Sequence, residues 1–312
     1  MTTPDNETTP HDEPAIRVEG LEYEFEVGLP VLHDVSFEVP RGAICGVLGR
    51  NGSGKTTLLR SLLGFLETEA DTCRVLGLDP MVDAFELRMR VGYVPQVSVL
   101  DWGKSAEEHL DFVRPLYDGR WNQELEEKLI DGFGLWPDLT RPARALSPGQ
   151  RQQLALVLAL AYEPELLVLD EPTAGLDPVI RRCFAEQVVE FVSKPGRTVV
   201  LSSHLVGELE RLVDHVLVIE GRRALVSAPL EALKNSLLAC TVRLPGQFIP
   251  ELPGDLLVQR RSGDILELAR WDRDGVGSAW FEELTEQGFH DLRVVDPSLE
   301  SLLVHLVEGD AR

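Results

Sequence analysis

The segment GRNGSGKTT, residues 49–57, combines residue types and a spacing that suit phosphate binding. It matches the pattern G-x-x-x-x-G-K-[ST] and lies between an apolar run and a helical pattern, the setting that gives this pattern its meaning. The glycines let successive backbone NH groups curl around phosphate oxygens, and the start of a helix adds the positive end of its dipole. The interpretation is a nucleotide-binding loop, with an ordinary glycine turn as the alternative. The residues assigned to it are Gly49, Arg50, Asn51, Gly52, Ser53, Gly54, Lys55, Thr56 and Thr57.

Four side chains are predicted to carry the chemistry of this site. In such a loop, Lys55 contacts the β and γ phosphates and Thr56 ligates Mg²⁺. Asp170 and Glu171 end the apolar run LLVLDEP, where an acid is costly unless it faces a cation or water. We therefore expect Asp170 to hold Mg²⁺ and Glu171 to polarise an attacking water. The alternative for this pair is a solvated acidic turn.

Short apolar runs alternate with helical patterns through most of the chain and must position these residues. The runs at 43–49, 166–170 and 198–203 lack the alternation of a half-solvated strand, which predicts buried parallel strands. The alternation of strands and helices predicts an α/β fold, in which ligands bind at the carboxyl ends of the strands. The predicted helices are 55–66, 106–117, 123–133, 149–162 and 179–193.

The two ends of the chain have a different character. Residues 1–14 are rich in Thr, Pro and acids, which predicts a disordered tail. Residues 237–312 suggest a small C-terminal α+β accessory domain with a hairpin about Ser262 and Gly263 and a helix near 278–287. Asp296 and Pro297 are predicted to be the cap and first turn of a last helix.

Composition excludes several classes of function. The 52 acidic residues against 30 basic ones give a formal charge of -22, which would repel a nucleic-acid backbone. The longest uncharged apolar run, 154–162, falls far short of the roughly 20 residues that cross a bilayer, and the first residues are not signal-like. The four cysteines are widely scattered, which favours reduced thiols. We therefore expect a cytoplasmic protein.

The order of motifs narrows the interpretation further. GRNGSGKTT is followed by VGYVPQ, LSPGQ, LLVLDEP, AGLD and LSSH, and over about residues 15–236 this series resembles the nucleotide-binding subunit of ATP-binding cassette (ABC) transporters. The resemblance implies a P-loop NTPase (RecA-like) core with a helical signature subdomain at about 98–149. It also implies ATP hydrolysis, with ATP and Mg²⁺ bound.

The resemblance assigns roles to four more residues. Gln96 would sense the γ-phosphate and Mg²⁺, His204 would contact the γ-phosphate and help to position the attacking water, and Asp177 would lie where two subunits meet. The plain alternatives are a turn residue, a loop histidine and a helix cap. The family stacks an aromatic on adenine, for which Phe25 fits better than Tyr23 by position, although either could pack in the core.

LSPGQ departs from the usual LSGGQ of the family at Pro148. Ser147 and Gln150 form a capping-box pattern, so Ser147 is predicted to be the N-cap and Pro148 the first helical residue. Proline is favoured there because its missing NH would have no intrahelical partner. We therefore expect Pro148 to be tolerated, with Ser147, Gly149 and Gln150 available to a nucleotide on a partner subunit.

The resemblance also implies partners. The working form would be a head-to-tail dimer, either a homodimer or a pair with a second ABC ATPase subunit, docked on separate transmembrane permease subunits at the cytoplasmic face of the cell membrane. The insert between Gln96 and Ser147 would dock there, and its apolar candidates are either docking residues or the core of the insert. These candidates are Val97, Val99, Leu100 and Trp102.

General likeness and the C-terminal domain point to the ATPases of ABC-2 type exporters. Two other classes stay open at this stage. One is a soluble ABC-type ATPase acting on a cytosolic assembly or ribosomal partner, although the acidic balance argues against nucleic acid. The other is a nucleotide-gated module that does not hydrolyse ATP, which Glu171 and His204 disfavour.

Overall fold

The computed structural model describes residues 13–97, 99–117, 119–173, 176–203, 206–244, 257–271 and 279–309. Two compact units are present: one takes the chain up to about residue 204 with Leu217–Ser227, the other takes 205–216 and the chain from Ala228 onwards. His204 and residues 1–12 of the predicted tail lie outside the described residues, as does part of AGLD.

The elements alternate between strand and helix through most of the chain. The strands are β1 (Ile16–Glu26), β2 (Leu29–Val39), β3 (Ile44–Leu48), β4 (Thr72–Val75), β5 (Val91–Val94), β6 (Leu166–Asp170), β7 (Thr198–Ser202), β8 (His215–Glu220), β9 (Arg223–Pro229), β10 (Leu237–Arg243), β11 (Leu257–Ser262), β12 (Ile265–Trp271) and β13 (His290–Val295). The α-helices are α1 (Lys55–Leu62), α2 (Ala84–Arg90), α3 (Ala106–Val113), α4 (Gln123–Gly132), α5 (Pro148–Leu160), α6 (Pro178–Val192), α7 (Val206–Leu209), α8 (Leu230–Asn235), α9 (Ala279–Glu286) and α10 (Leu299–Gly309).

A six-stranded sheet in the order β5-β6-β7-β3-β8-β9 carries the predicted site. Neighbours pair in parallel from β5 through β6 and β7 to β3. Every residue of β3, β6 and β7 is buried, which explains why these runs show no polar alternation. The predicted parallel strands and α/β class are confirmed, and the carboxyl ends of the four strands meet at one edge.

A three-stranded antiparallel sheet in the order β2-β1-β4 packs on the same unit's core. Its inward residues, among them Ile16, Leu21, Leu32 and Val35, join a buried cluster with residues of β3 and α1. This cluster fixes the helix that follows the glycine-rich loop.

The helix predicted at 106–117 is shorter than expected. The α-helix ends at Val113, and Arg114–Tyr117 form a 3₁₀ turn. Pro115 has no NH to donate back along an α-helix, and its ring disfavours the α conformation of the preceding residue. The start of α3 is well defined, because Ser105 and Glu108 form a capping box.

The second unit contains a four-stranded sheet in the order β11-β12-β10-β13. The hairpin predicted about Ser262 and Gly263 is present, since Ser262 pairs with Ile265. The predicted cap of the last helix is wrong: Ser298, rather than Asp296, accepts a hydrogen bond of 3.0 Å from the backbone NH of Ser301. Serine is a preferred cap, and Pro297 therefore precedes the helix instead of starting it.

Candidate active site

The glycine-rich loop joins the end of β3 to the start of α1. Gly54 caps α1 with φ of 107°, in the left-handed half of the map. Gly49 has φ of 150°, and a Cβ there would lie 2.1 Å from the backbone oxygen of Ile219. No larger side chain fits without moving the backbone, so the sequence specifies the curled loop at both positions.

Lys55 is buried inside this loop. Its Nζ donates hydrogen bonds to the backbone oxygens of Gly49 at 2.9 Å and Arg50 at 3.1 Å. The ammonium group therefore sits among the backbone groups of the curl, where phosphate oxygens would meet both it and the NH groups at the start of α1. This arrangement suits the charge of a nucleotide polyphosphate.

Asp170 lies at the end of β6 and is fully buried. Its Oδ1 accepts hydrogen bonds from the Thr56 hydroxyl at 3.1 Å and the Ser202 hydroxyl at 2.7 Å. Its Oδ2 is also buried but has no hydrogen-bond partner among the described residues. An unpaired buried carboxylate oxygen beside a threonine hydroxyl is the oxygen-rich environment that Mg²⁺ prefers, so these residues fit the predicted metal.

Ser202 is the residue of this constellation that the sequence prediction missed. Its hydroxyl donates to Asp170 and accepts a hydrogen bond of 2.9 Å from the backbone NH of Glu171. β6 and β7 are parallel neighbours, with Asp170 directly opposite Ser202. A serine near the end of the apolar run TVVLS could have indicated a polar group at the site. That its partner is Asp170 follows only from the strand order.

The backbone of Glu171 has a conformation that few residues other than glycine adopt. Its φ is 50°, in the left-handed region, and it is 7% exposed. This conformation costs free energy for any residue other than glycine, and such strained residues are enriched at functional sites. The hydrogen bond from its NH to Ser202 holds the turn immediately after the carboxylate of Asp170.

Gln96 and Phe25 occupy exposed positions. Gln96 follows β5 by two residues, and β5 is the sheet neighbour of β6, so it lies at the edge where Asp170 ends its strand. Phe25 is 75% exposed near the end of β1, whereas Tyr23 packs against the buried core. A free aromatic face at Phe25 is what stacking on a base requires.

The capping box predicted for LSPGQ is present. The Ser147 hydroxyl accepts from the Gln150 NH at 3.1 Å, the Gln150 side chain accepts from the Ser147 NH at 2.8 Å, and Pro148 is the first residue of α5. Gly149 follows in the first turn. Asp177 caps α6 by accepting from the NH groups of Val179 and Ile180, which is the plain alternative for that residue.

Comparison with known proteins is consistent with this geometry. The sequence model of the family described as "ABC transporter" matches residues 32–174. The "Nod factor export ATP-binding protein I" of Ralstonia nicotianae is 35% identical over 243 residues, which is 77% of this chain and 75% of that protein. The chain belongs to the ABC transporter ATP-binding proteins.

One further relative and one solved structure are similar to this chain over most of their own lengths. The "Daunorubicin resistance ATP-binding protein DrrA3" of Streptomyces coeruleorubidus is 30% identical over 309 residues, 96% of this chain and 97% of that protein. A solved structure, "Structure of ATP binding subunit of ABC transporter", superposes with a TM-score of 0.65 at 27% identity and covers 71% of this chain and 92% of that one. The P-loop NTPase fold is thereby confirmed.

As an ABC ATPase, the chain binds and hydrolyses ATP. Proteins of this family bind ATP, generally with Mg²⁺, and their ATPase subunits work with membrane permease subunits. None of the described helices is long and apolar enough to cross a membrane.

The apolar residues of the insert after Gln96 divide into two groups. Leu100 is 9% exposed and belongs to the core of the protein. Val97 and Val99 are 75% and 84% exposed, and Trp102 is 57% exposed with the Arg151 guanidinium 4.9 Å from the centre of its ring. Leu100 therefore fits the core alternative, whereas docking stays a prediction for the three exposed residues.

Proposed function

We propose that this ABC ATPase powers an exporter, working as a head-to-tail dimer on separate transmembrane subunits at the cytoplasmic face of the membrane. The drug-resistance relative supports the exporter assignment, because its likeness extends through the C-terminal unit to 96% of this chain. The Nod factor export proteins support it as well. These relatives favour transport over a cytosolic or ribosomal role.

The chemistry rests on the constellation around Asp170, whose Oδ2 has no partner among the described side chains. Thr56 and Asp170 would hold Mg²⁺, with Gln96 at the same edge of the sheet as a further ligand. The metal would supply positive charge that offsets the negative charge of the phosphate oxygens. Thr56 already lies 3.1 Å from the carboxylate, so the two ligands need little rearrangement.

In the proposed reaction, Lys55 neutralises charge that develops on the β and γ phosphates, while the backbone NH groups of the loop orient them. Glu171 accepts a hydrogen bond from the attacking water and aligns it. His204 is assigned to the γ-phosphate by family resemblance alone. Phe25 stacks on the adenine.

The dimer supplies the second half of each site. Ser147 and Gly149 stand at the exposed start of α5, whose positive end can face a γ-phosphate bound by the partner. Gln150 keeps the helix start formed, and Asp177 stands at the start of α6. Closure on ATP and opening after hydrolysis give two states that can drive the permease, with Val97, Val99 and Trp102 proposed as docking residues.

The test is to trap the ATP-bound dimer with Glu171→Gln and to identify by mass spectrometry what copurifies from gently solubilised host membranes. We expect a polytopic protein with roughly six apolar spans. Lys55→Ala is the control, because it should form no trapped dimer and recover less of that partner. Recovery of the trapped dimer only from the soluble fraction, or with ribosomes, would overturn the transport assignment.

A further inference from the structure

A second charged cleft lies at the opposite edge of the six-stranded sheet from the ATP site. Arg41 precedes β3, Glu165 precedes β6 and Arg197 precedes β7, so these residues stand at the amino ends of the strands whose carboxyl ends carry the catalytic groups. The cleft has a volume of about 670 Å³. Among the described residues, it is lined by Arg41, Gly119, Arg120, Tyr162, Glu163, Glu165, Pro195, Gly196 and Arg197.

The two carboxylates in this cleft already have cationic partners. Glu165 accepts two hydrogen bonds of 2.7 Å from Arg90, and this pairing holds the pKa of Glu165 below its usual range. Glu163 accepts a hydrogen bond of 2.6 Å from Lys194, which likewise lowers its pKa. Glu165 also attracts Arg41 and Arg197, and Glu163 attracts Arg197, so the acids offset part of the charge of the lining. Arg90 and Lys194 add two further cations beside the three arginines, so positive charge remains in excess.

These arginines are also short of hydrogen-bond acceptors. Arg41 Nε is buried and has no partner within the described part of the chain. Arg120 donates to the backbone oxygen of Met89 and Arg197 to that of Glu163, which uses only some of the five NH donors of each guanidinium. Burial lowers the pKa of Arg197, and the attraction of Glu163 and Glu165 offsets only part of that effect. A buried donor without an acceptor is costly, and this cost applies to Arg41 Nε, whereas Arg120 is exposed and contributes its charge. An anion that accepts from Arg41 would therefore be stabilised here.

We propose that this cleft binds a small soluble anion that carries phosphate groups. The volume lies within the range of small-molecule sites, and guanidinium groups match phosphate oxygens with paired hydrogen bonds. An adjoining apolar slot beside Leu125, Leu129 and Phe191 has a volume of only about 20 Å³, so the ligand is recognised by charge rather than by an apolar group. The formal charge of -22 disfavours nucleic acid and anionic membrane surfaces as ligands, because such large anions would be repelled by the acidic protein as a whole.

The site is independent of the proposed transport function and can be tested without it. Inorganic pyrophosphate is titrated into the full-length protein by calorimetry, with Lys55→Ala used to remove the contribution of the ATP site. We expect binding to persist in Lys55→Ala and to weaken at least roughly tenfold when Arg41→Gln and Arg120→Gln are added, since each removes a charge-assisted contact.

Two controls make the result specific. Arg17→Gln with Arg182→Gln removes the same total charge from exposed residues outside the cleft and should leave pyrophosphate binding unchanged. ATP binding by Arg41→Gln/Arg120→Gln without the Lys55 change should equal that of wild type, which checks the fold.

The proposal is overturned if Lys55→Ala binds no pyrophosphate, or if both arginine pairs weaken binding equally. Sedimentation with phosphatidic acid vesicles tests the other source of phosphate. Vesicle binding that depends on Arg41 and Arg120, without pyrophosphate binding, would replace the soluble anion with a lipid headgroup.

Discussion

The hydroxyl of Thr56 donates a hydrogen bond of 3.1 Å to Asp170 Oδ1, although 114 residues separate the two in the chain. This contact joins the first turn of α1 to the end of β6. Ser202 donates to the same oxygen from β7, so three elements converge on one carboxylate and leave its Oδ2 without a partner among the described residues. The predictions below follow from this convergence and from the helices that surround it.

Lys55→Ala should weaken ATP binding roughly a hundredfold or more, because charge-assisted contacts to the phosphates would be lost. A filter-binding titration with labelled ATP measures this change. Lys194→Ala is the matched control, since Lys194 is a surface lysine paired with Glu163. Tight binding that survives in Lys55→Ala would refute the assignment of the phosphate loop.

Pro148→Gly should leave ATP turnover within a few fold of wild type, because the missing proline NH has no helical partner at the first position of α5. Stability should fall by about 1 kcal/mol, since glycine has more conformational freedom in the unfolded chain. Steady-state phosphate release and urea midpoints measure the two effects. Pro148→Ala is the control, because it removes the proline ring without adding the flexibility of glycine. A large gain in turnover in both variants would contradict the prediction and show that the proline restrains the site.

Glu126→Gln should destabilise the protein by about 2 kcal/mol, the size of a lost hydrogen bond to a charged group. The Glu126 carboxylate is 3% exposed and accepts hydrogen bonds from Trp121 Nε1 at 2.7 Å and from two nitrogens of Arg114. An amide can replace the acceptor for one donor, but it removes the buried counter-charge of the guanidinium and leaves only the ion pair with exposed Asp111. Urea unfolding followed by tryptophan fluorescence measures the loss, with exposed Glu127→Gln as control. Equal midpoints for the two variants would contradict this role.

Stability should depend on pH through the pair of Arg90 and Glu165. The hydrogen bonds from Arg90 hold the pKa of Glu165 below its usual 4.5. A carboxylate with a lowered folded pKa stabilises the protein above its unfolded pKa, and this stabilisation is lost as pH falls through the folded value. The stability difference between wild type and Glu165→Gln should therefore be full near neutral pH and shrink below about pH 4.5. Urea midpoints at several pH values check it, and a constant difference would rule out this linkage.

The sequence was sufficient where local rules decide the structure. The apolar run LLVL, ended by Asp170, predicts β6 to the residue, because a parallel strand covered on both faces needs no polar alternation. The S-P-G-Q pattern likewise predicts the start of α5, because cap and box partner are only three residues apart.

Residues whose partners depend on strand order or packing could not be predicted in the same way. The contact between Ser202 and Asp170 exists because β6 and β7 are neighbours, which no local pattern states. Leu100 is buried while Val99 next to it is exposed, and only the packed structure separates the two. At the last helix, the local pattern favours Asp296 as the cap, but the Ser298 hydroxyl is the group that accepts from the NH of Ser301.

The central claim is that hydrolysis of ATP depends on Glu171 beside the Asp170 constellation. The most direct measurement is phosphate release from ATP by wild type, Glu171→Gln and Glu67→Gln, with exposed Glu67 as the matched control. We predict that Glu171→Gln lowers the rate by roughly a hundredfold or more while ATP binding is retained, and that Glu67→Gln matches wild type. Equal rates for all three proteins would remove Glu171 from the reaction and contradict the account.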